Sequence, residues 1–374
     1  MRLPCTLFVA AMLLFSTHSE AKTYEKKLNP TTFDKEANVE AMINEGLSNL
    51  RLPFEVRNTP EVRKYIKQYI QPGRKNSQAM LGRSSLYFPI FEHYLNIYGL
   101  PQELKYLPMV ESTLRPDVHS RAGAAGLWQF VPITARHFGL RMDGNVDERL
   151  DPYKSTEAAV KLLAYLYKEL GDWPLVLAAY NSGAGRVRKA IRRANCDNFW
   201  EISAYLPSES RKYVPAFIAA AYLAQNYSRH GLTPKYPSYD LQDTRVFTVY
   251  KRLNLKEIAR NCHVDLNVLR KLNPSYRNNI VPTNAKGNYI VIPASSATDF
   301  WLRYIPRNTF ISPDQGLTMI SYTAVVGDNI NNLALLFDCT VADIMKWNHL
   351  TRPDVVVNQS LVFYLPKESL VARP

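Results

Sequence analysis

The sequence predicts a mainly α-helical domain followed by two small α+β units of βααβ order. From Leu86 to about Tyr227, apolar residues recur at helical spacing between Pro and Gly boundary signals. Ser228–Leu241 is polar, carries Pro234 and Pro237, and reads as a linker. Beyond it, two segments match each other at an offset of 75 residues, keeping residue type and order.

At the start of the chain, Arg2 precedes an apolar run from Leu7 to Phe15, and small residues stand at Ser19 and Ala21. This pattern predicts a signal peptide over 1–21 and export to the periplasm or cell envelope. Nothing else is long and apolar enough to predict a transmembrane anchor. Residues 22–85 read as an N-terminal helical region broken at Pro53, Pro60 and Pro72-Gly73, with Val62, Tyr65, Ile66 and Tyr69 at helical spacing.

The main helical domain is expected over 86–230. Leu86, Ile90, Tyr94 and Ile97 are spaced for one helix face ending at Gly99, and Pro101 opens a second helix with Leu104, Leu107 and Val110 inward. Pro108 is expected to distort that helix late, leaving Glu111 near its C-terminal end. Further helices are expected over 155–170, 174–181, 186–194 and 213–227. In the two repeats, over 243–294 and 320–367, Phe247-Thr248 matches Tyr322-Thr323, Ile258-Ala259 matches Leu333-Ala334, and Leu272-Asn273 matches Trp347-Asn348. Residues 294–320, with Pro306 and Pro313, separate the copies.

Composition narrows the function classes. The chain of 374 residues has a formal charge of +13, which favours polyanionic partners, and export makes nucleic acid an unsuitable one. Arg186, Arg188, Lys189, Arg192 and Arg193 form the densest basic cluster, a solvated helix face or an anion contact. Cys5 would leave with the signal peptide. Cys196, Cys262 and Cys339 are odd in number and lack metal-ligand spacing, so buried thiols are expected rather than disulfides. The seven histidines show no His-Glu-x-x-His spacing, and the Gly183/Gly185 loop is not followed by Lys-Ser/Thr. No metal or other cofactor is expected.

The chemistry concentrates between Leu107 and Phe130. Glu111 follows an apolar helical turn, and desolvation there favours its neutral form, as a general acid near neutral pH requires. Gly123 and Gly126 would let backbone approach a ligand closely. Ser120 and Gln129 offer neutral hydrogen-bonding groups suited to sugar hydroxyls and acetamides. Asp117, the nearest other acid in sequence, sits in a Pro-containing turn and is not an obvious second catalytic carboxylate.

These blocks, Val110-Glu111-Ser112, Gly123-Ala-Ala-Gly126-Leu-Trp-Gln129-Phe130, Val146-Asp-Glu-Arg149, Asp151-Pro152, Ala178-Ala-Tyr180-Asn181-Ser-Gly183-Ala-Gly185-Arg-Val187 and Tyr213-Val-Pro215, stand in one order over about Leu100–Tyr222. In that order they resemble the lytic transglycosylase catalytic domain, a lysozyme-like fold related to goose-type lysozyme, and most closely the membrane-bound murein transglycosylase D branch. The resemblance implies that Glu111 is the acid/base, and that Ser120, Gln129, Tyr180, Asn181 and Tyr213 line or shape a glycan groove. For Tyr180 and Asn181, closure of their helix is an equal alternative; Asp147, Arg149 and Asp151 read as loop anchors. It also implies cleavage between N-acetylmuramic acid and N-acetylglucosamine, with ring closure to a 1,6-anhydro end. The residues alone equally permit hydrolysis by a muramidase using the same Glu111, and a non-catalytic peptidoglycan-binding protein is the alternative from another class.

The repeats resemble LysM modules, which bind N-acetylglucosamine-containing glycans. The second is the better match, with Gly327-Asp328, Trp347-Asn348 and Gln359. In the first, Arg252 and Leu253 replace the Gly-Asp turn. Relatives in this branch are often lipoproteins, whereas no cysteine follows the apolar signal run here.

Overall fold

Prolines and capping side chains set most of the helix starts. The computed structural model describes residues 30–305, 310–311, 317–324, 328–337, 339–356 and 359–366, so the expected signal peptide over 1–21 and Gly327 lie outside the described residues. The chain divides into two units, 1–142 with 148–236, and 143–147 with 237–374.

The first unit is helical: α1 (Pro30–Asn49), α2 (Pro60–Ile70), α3 (Arg74–Ile97), a 3-10 turn (Gln102–Tyr106), α4 (Leu107–Ser112), α5 (Pro132–His137), α6 (Pro152–Leu170), α7 (Trp173–Ser182), α8 (Ala184–Ala194), α9 (Phe199–Ile202) and α10 (Ser208–Asn226). Pro60, Pro132, Pro152 and Pro174 stand in first turns, where a missing N–H costs nothing. Asp151 caps α6 by accepting from Tyr153 N at 2.9 Å and Lys154 N at 3.0 Å. Gly171 ends α6 in the left-handed region, and Asp172 then caps α7 through Leu175 N at 2.9 Å.

Two expectations are corrected. The helix expected to begin near Leu86 starts at Arg74 and buries Tyr87, Ile90, Phe91, Tyr94 and Leu95, while Ile97 is 58% exposed at its end. Its polar first turns, Arg74-Lys75-Asn76, hid the start. The second expected helix is a 3-10 turn leading into α4. Pro108 stands in the first turn of α4, so it marks a start instead of distorting an end. Leu104 and Leu107 are buried as expected.

The core gathers around α7, buried over all ten residues, and α10, buried without a break from Tyr213 to Leu223. Helices apolar on every side must be enclosed by others. Here α10 packs on α2, α4 and α7, and α6 on α3 and α7. The expected linker is docked at Lys235, whose N–H donates to Gln78 O at 2.8 Å. Gly82 permits this, because a Cβ there would lie 1.7 Å from Lys235 O.

In the second unit, α11 (Tyr239–Gln242) precedes β1 (Thr244–Val249), β2 (Leu253–Asn254), α12 (Leu255–Asn261), α13 (Leu266–Leu272), β3 (Ile280–Val281), β4 (Asn288–Pro293) and α14 (Ala297–Tyr304). Then come β5 (Phe310–Ile311), β6 (Leu317–Thr323), α15 (Ile330–Leu336), α16 (Val341–Trp347) and β7 (Ser360–Pro366). The helix pairs repeat at the offset read from the sequence. β1 pairs antiparallel with β4 from Thr244↔Pro293 to Val249↔Asn288, and β6 with β7 from Leu317↔Pro366 to Thr323↔Ser360. The matched asparagines do the same work in both copies. Asn273 donates to Val291 O at 2.8 Å and accepts from Val291 N at 2.7 Å, and Asn348 donates to Val362 O at 2.8 Å and accepts from Val362 N. A side-chain amide thus stands in for a neighbouring strand.

The stretch between the copies is more than a separator. Phe300 and Trp301 of α14 are buried, with Phe300 5.0 Å from the Phe247 ring and Trp301 5.1 Å from Phe337, so residues of both copies share one hydrophobic cluster. Among the described residues, Cys196, Cys262 and Cys339 form no disulfide. Cys262 is buried, which pushes its thiol up to about 11, but Cys339 and Cys196 are only half-buried, short of the expectation. Among the described residues no helix is long and apolar enough to cross a membrane.

Candidate functional site

Glu111 occupies the last turn of α4. Thr113 and Leu114, at φ 52° and 58°, end the helix immediately after it. The Arg83 guanidinium, from α3, donates to Thr113 O at 2.8 and 3.1 Å and fixes that end. The Ser112 hydroxyl lies 2.9 Å from Leu127 O, tying α4 to the Gly-rich loop.

That loop is held from several sides. Ala125 and Phe130 exchange backbone hydrogen bonds at 3.1 Å, and Gly126 N–H donates to Val118 O at 3.0 Å. Trp128 is fully buried: its indole N–H donates to Thr156 Oγ1 at 2.9 Å and its ring meets Phe91 at 5.0 Å. Arg149 donates to Gly123 O at 2.6 Å and Phe130 O at 3.1 Å, which makes it the anchor expected from the sequence. Gly126 has φ 84°, and a Cβ there would lie 1.8 Å from Arg149 O. Its close approach is therefore to the protein's own backbone, not to a ligand as first expected; Gly123 has open space within 4 Å.

Glu111 is half-buried and accepts a hydrogen bond from the Tyr213 hydroxyl of α10. Burial pushes its carboxyl up to about 7, the Tyr213 hydrogen bond opposes that shift, and the charge of Glu209 adds to it. Tyr180 of α7 belongs to the same cluster: burial and the Glu111 charge raise its phenol, and its hydroxyl donates to Trp128 O at 2.8 Å. The Tyr213 phenol is raised by burial and by Glu111. A carboxyl poised near neutrality beside a phenol donor can give up a proton and take one back.

The structure brings Glu111, Tyr180 and Tyr213 together. Ser120 and Gln129 lie on the adjoining loop. Ser120 Oγ accepts from Ala124 N at 3.0 Å, leaving its O–H to donate. The buried Gln129, at φ 48°, donates its amide to Gly126 O at 2.8 Å and Val118 O at 3.2 Å, so its nitrogen holds the loop. Asn181 is buried and accepts from Ser210 Oγ at 2.9 Å, tying α7 to the start of α10. Asp117 is exposed and pairs with Arg115 at 3.5 Å. On α8, Arg188 pairs with Glu169, while Lys189, Arg192 and Arg193 face solvent.

Sequence reading missed Glu209. The available signal was its place four residues before Tyr213, on the same helix face. Tyr213→Phe should raise the Glu111 carboxyl further, since a hydrogen bond to a charged group is worth ~1.5–3 kcal/mol, or about one pH unit or more. A pH titration of the carboxyl carbon resonance checks this; an unmoved midpoint would deny the bond its role.

Residues 89–203 match the family described as Transglycosylase SLT domain, 243–304 match Lytic transglycosylase MltD, LysM-like domain, and 322–363 match LysM domain. Glu209 and Tyr213 fall beyond the first match. The chain is 30% identical over 277 residues to membrane-bound lytic murein transglycosylase D of Escherichia coli K12, covering 70% of this chain and 60% of that relative's length. It is 32% identical over 143 residues to the soluble lytic murein transglycosylase of the same strain, covering 36% of this chain and 22% of the relative. The crystal structure of the 70 kDa soluble lytic transglycosylase of Escherichia coli aligns at a TM-score of 0.35 with 19% identity, over 53% of this chain and 44% of that one, a likeness too slight to carry argument. This chain carries a transglycosylase SLT domain, followed by a LysM-like domain of the MltD type and a LysM domain, and is homologous to lytic murein transglycosylase D.

Proposed function

We propose that this protein is an exported peptidoglycan lytic transglycosylase that cuts the β-1,4 bond between N-acetylmuramic acid and N-acetylglucosamine. The observation that carries the reading is the half-buried Glu111, raised to about 7 and hydrogen-bonded by Tyr213. Protonated Glu111 gives its proton to the glycosidic oxygen, and the bond to the muramoyl anomeric carbon breaks. The substrate's own acetamide and surrounding dipoles support the positive charge that develops there. Glu111, now a carboxylate accepting from Tyr213, takes the proton of the C6 hydroxyl of the same sugar, whose oxygen closes onto the anomeric carbon. An internal nucleophile has a large proximity advantage over water.

Ser120, Gln129, Tyr180, Asn181 and Tyr213 are proposed to line or shape the groove. Ser120 presents a free O–H, and the others hold the loop, α7 and α10 around Glu111. The proposed organisation is a signal peptide over 1–21, a helical region over 22–85, the catalytic domain over 86–230 and glycan-binding modules over 243–294 and 320–367. The modules would hold the enzyme on N-acetylglucosamine-containing strands in the periplasm and raise its local concentration there. Removing residues 243–374 is expected to weaken co-sedimentation with insoluble peptidoglycan about tenfold or more; undiminished sedimentation would argue against this role.

Mass spectrometry of muropeptides released from purified peptidoglycan tests the reaction. Non-reducible 1,6-anhydromuramic ends are expected. Reducing ends would instead mean a muramidase, and no release by folded protein would leave a glycan-binding function.

A further inference from the structure

From Trp173 to Cys196 the chain holds five cations and no acid, and all five stand on α8. Val187 and Ala190 are the buried side of that helix, which packs on α7 and α9. Arg188, Lys189, Arg192 and Arg193, spaced i, i+1, i+4 and i+5, are exposed together on the opposite side. Arg186 turns back instead, donating to Ser182 O at 2.9 Å across the Gly183 turn that joins α7 to α8. Arg188 is paired with Glu169, whereas Lys189, Arg192 and Arg193 form no ion pair among the described residues. Helix stability explains only part of this. Arg192 and Arg193 lie in the last turn, where the helix dipole favours cations. Lys189 stands before it, and like charges four residues apart, Arg188 with Arg192 and Lys189 with Arg193, repel each other. Solvated surfaces ordinarily mix both signs; this one does not.

We propose that the outer face of α8 is a docking surface for the carboxylates of peptidoglycan stem peptides, with Lys189, Arg192 and Arg193 as its contacts. The inference rests on peptidoglycan being the polymer bound at Glu111. Each muramoyl residue of that polymer carries a short peptide with free carboxylates, so the substrate brings the complementary charge with it. α8 begins four residues after Tyr180, a member of the Glu111 cluster, and its 11 residues extend about 16 Å from that end. A stem peptide of about five residues, at about 3.3–3.6 Å each, spans a similar length. An anionic membrane is the poorer match. A helix lying in a bilayer surface sinks an apolar face among the lipids, whereas α8 turns its apolar side to the protein and only cations outward. The neutral donors beside Glu111 suit sugar, and the α8 face suits the peptide that the sugar carries.

Binding tests this without the reaction, in full-length protein carrying Glu111→Gln so that the polymer stays uncut. Co-sedimentation with purified peptidoglycan at low salt gives the affinity. Lys189→Gln with Arg192→Gln and Arg193→Gln is expected to weaken it about tenfold and to flatten its salt dependence, since exposed charge pairs are individually weak and screened. The corresponding Ala variant, built from the best helix former, serves should the Gln variant fail to fold. Peptidoglycan whose carboxyls have been amidated with a carbodiimide and ammonia should bind both proteins equally. Arg51→Gln with Lys64→Gln and Lys75→Gln removes the same charge from exposed positions elsewhere and should leave the affinity nearly unchanged. Undiminished affinity in the α8 variant overturns the inference, as does an equal loss in the Arg51 variant or on the amidated polymer. Lost binding to vesicles of anionic phospholipid, with peptidoglycan binding intact, would give the face to a membrane and overturn it too. Failure of every form to bind peptidoglycan would overturn the proposed function and this inference together. Weakened binding in the α8 variant of a protein that, with Glu111 in place, releases no muropeptide would sustain the inference and overturn only the catalytic reading.

Discussion

Glu111→Gln is expected to lower muropeptide release by about 10³-fold or more, because one group serves as both acid and base and general acid–base steps are each worth ~10²–10⁴. The fold should survive and gain stability in alkali. The Glu111 carboxyl rises from 4.5 to about 7 on folding, so the folded state binds the extra proton and loses stability as pH climbs through that window. Glutamine escapes the penalty. Allowing for the residue's partial exposure, the variant should be about 1–3 kcal/mol more stable than the wild type at pH 8 and equal to it at pH 4. Denaturant unfolding at the two pH values checks this. Wild-type release should fall as pH rises through about 7, where Glu111 loses its proton. Full activity in a Gln variant free of wild-type protein would overturn the assignment.

Gly126→Ala should be the most damaging small change in the loop. A methyl there would lie 1.8 Å from Arg149 O and 2.7 Å from its carbon, both backbone atoms, at a φ of 84°. Backbone cannot yield as a flexible side chain does, so the cost should exceed ~3 kcal/mol, enough to lower the melting temperature by ~5–10 °C. Gly123→Ala is the matched control: its φ is 80° but its surroundings are open, which leaves the conformational cost alone, ~1–2 kcal/mol. Thermal unfolding of the pair separates the two contributions. Equal losses would mean that Arg149 moves aside, and with it the anchor of the Gly-rich loop.

The repeat and most helices were legible because their signals are local. A helix writes its buried face at every third or fourth residue, and the two copies keep the same pattern, so the helix pairs recur at the offset read from matched residues. Glu111 stood out because the ordered blocks around it resemble a known catalytic domain, a reading with which its apolar flank and the adjoining Gly-rich loop agree. What the sequence left open is what depends on distant partners. Leading polar turns concealed the start of α3, and only packing reveals that α14 belongs to the core of the repeats. Gly126 looked like a ligand contact until Arg149 O, more than twenty residues away, was found against it. Above all, the proton balance at Glu111 is set first by burial and then by the opposing hydrogen bond from Tyr213, about a hundred residues on. Spacing along the chain fixes which residues can share a helix face; only the tertiary structure brings separate helices close enough for one charge to feel another.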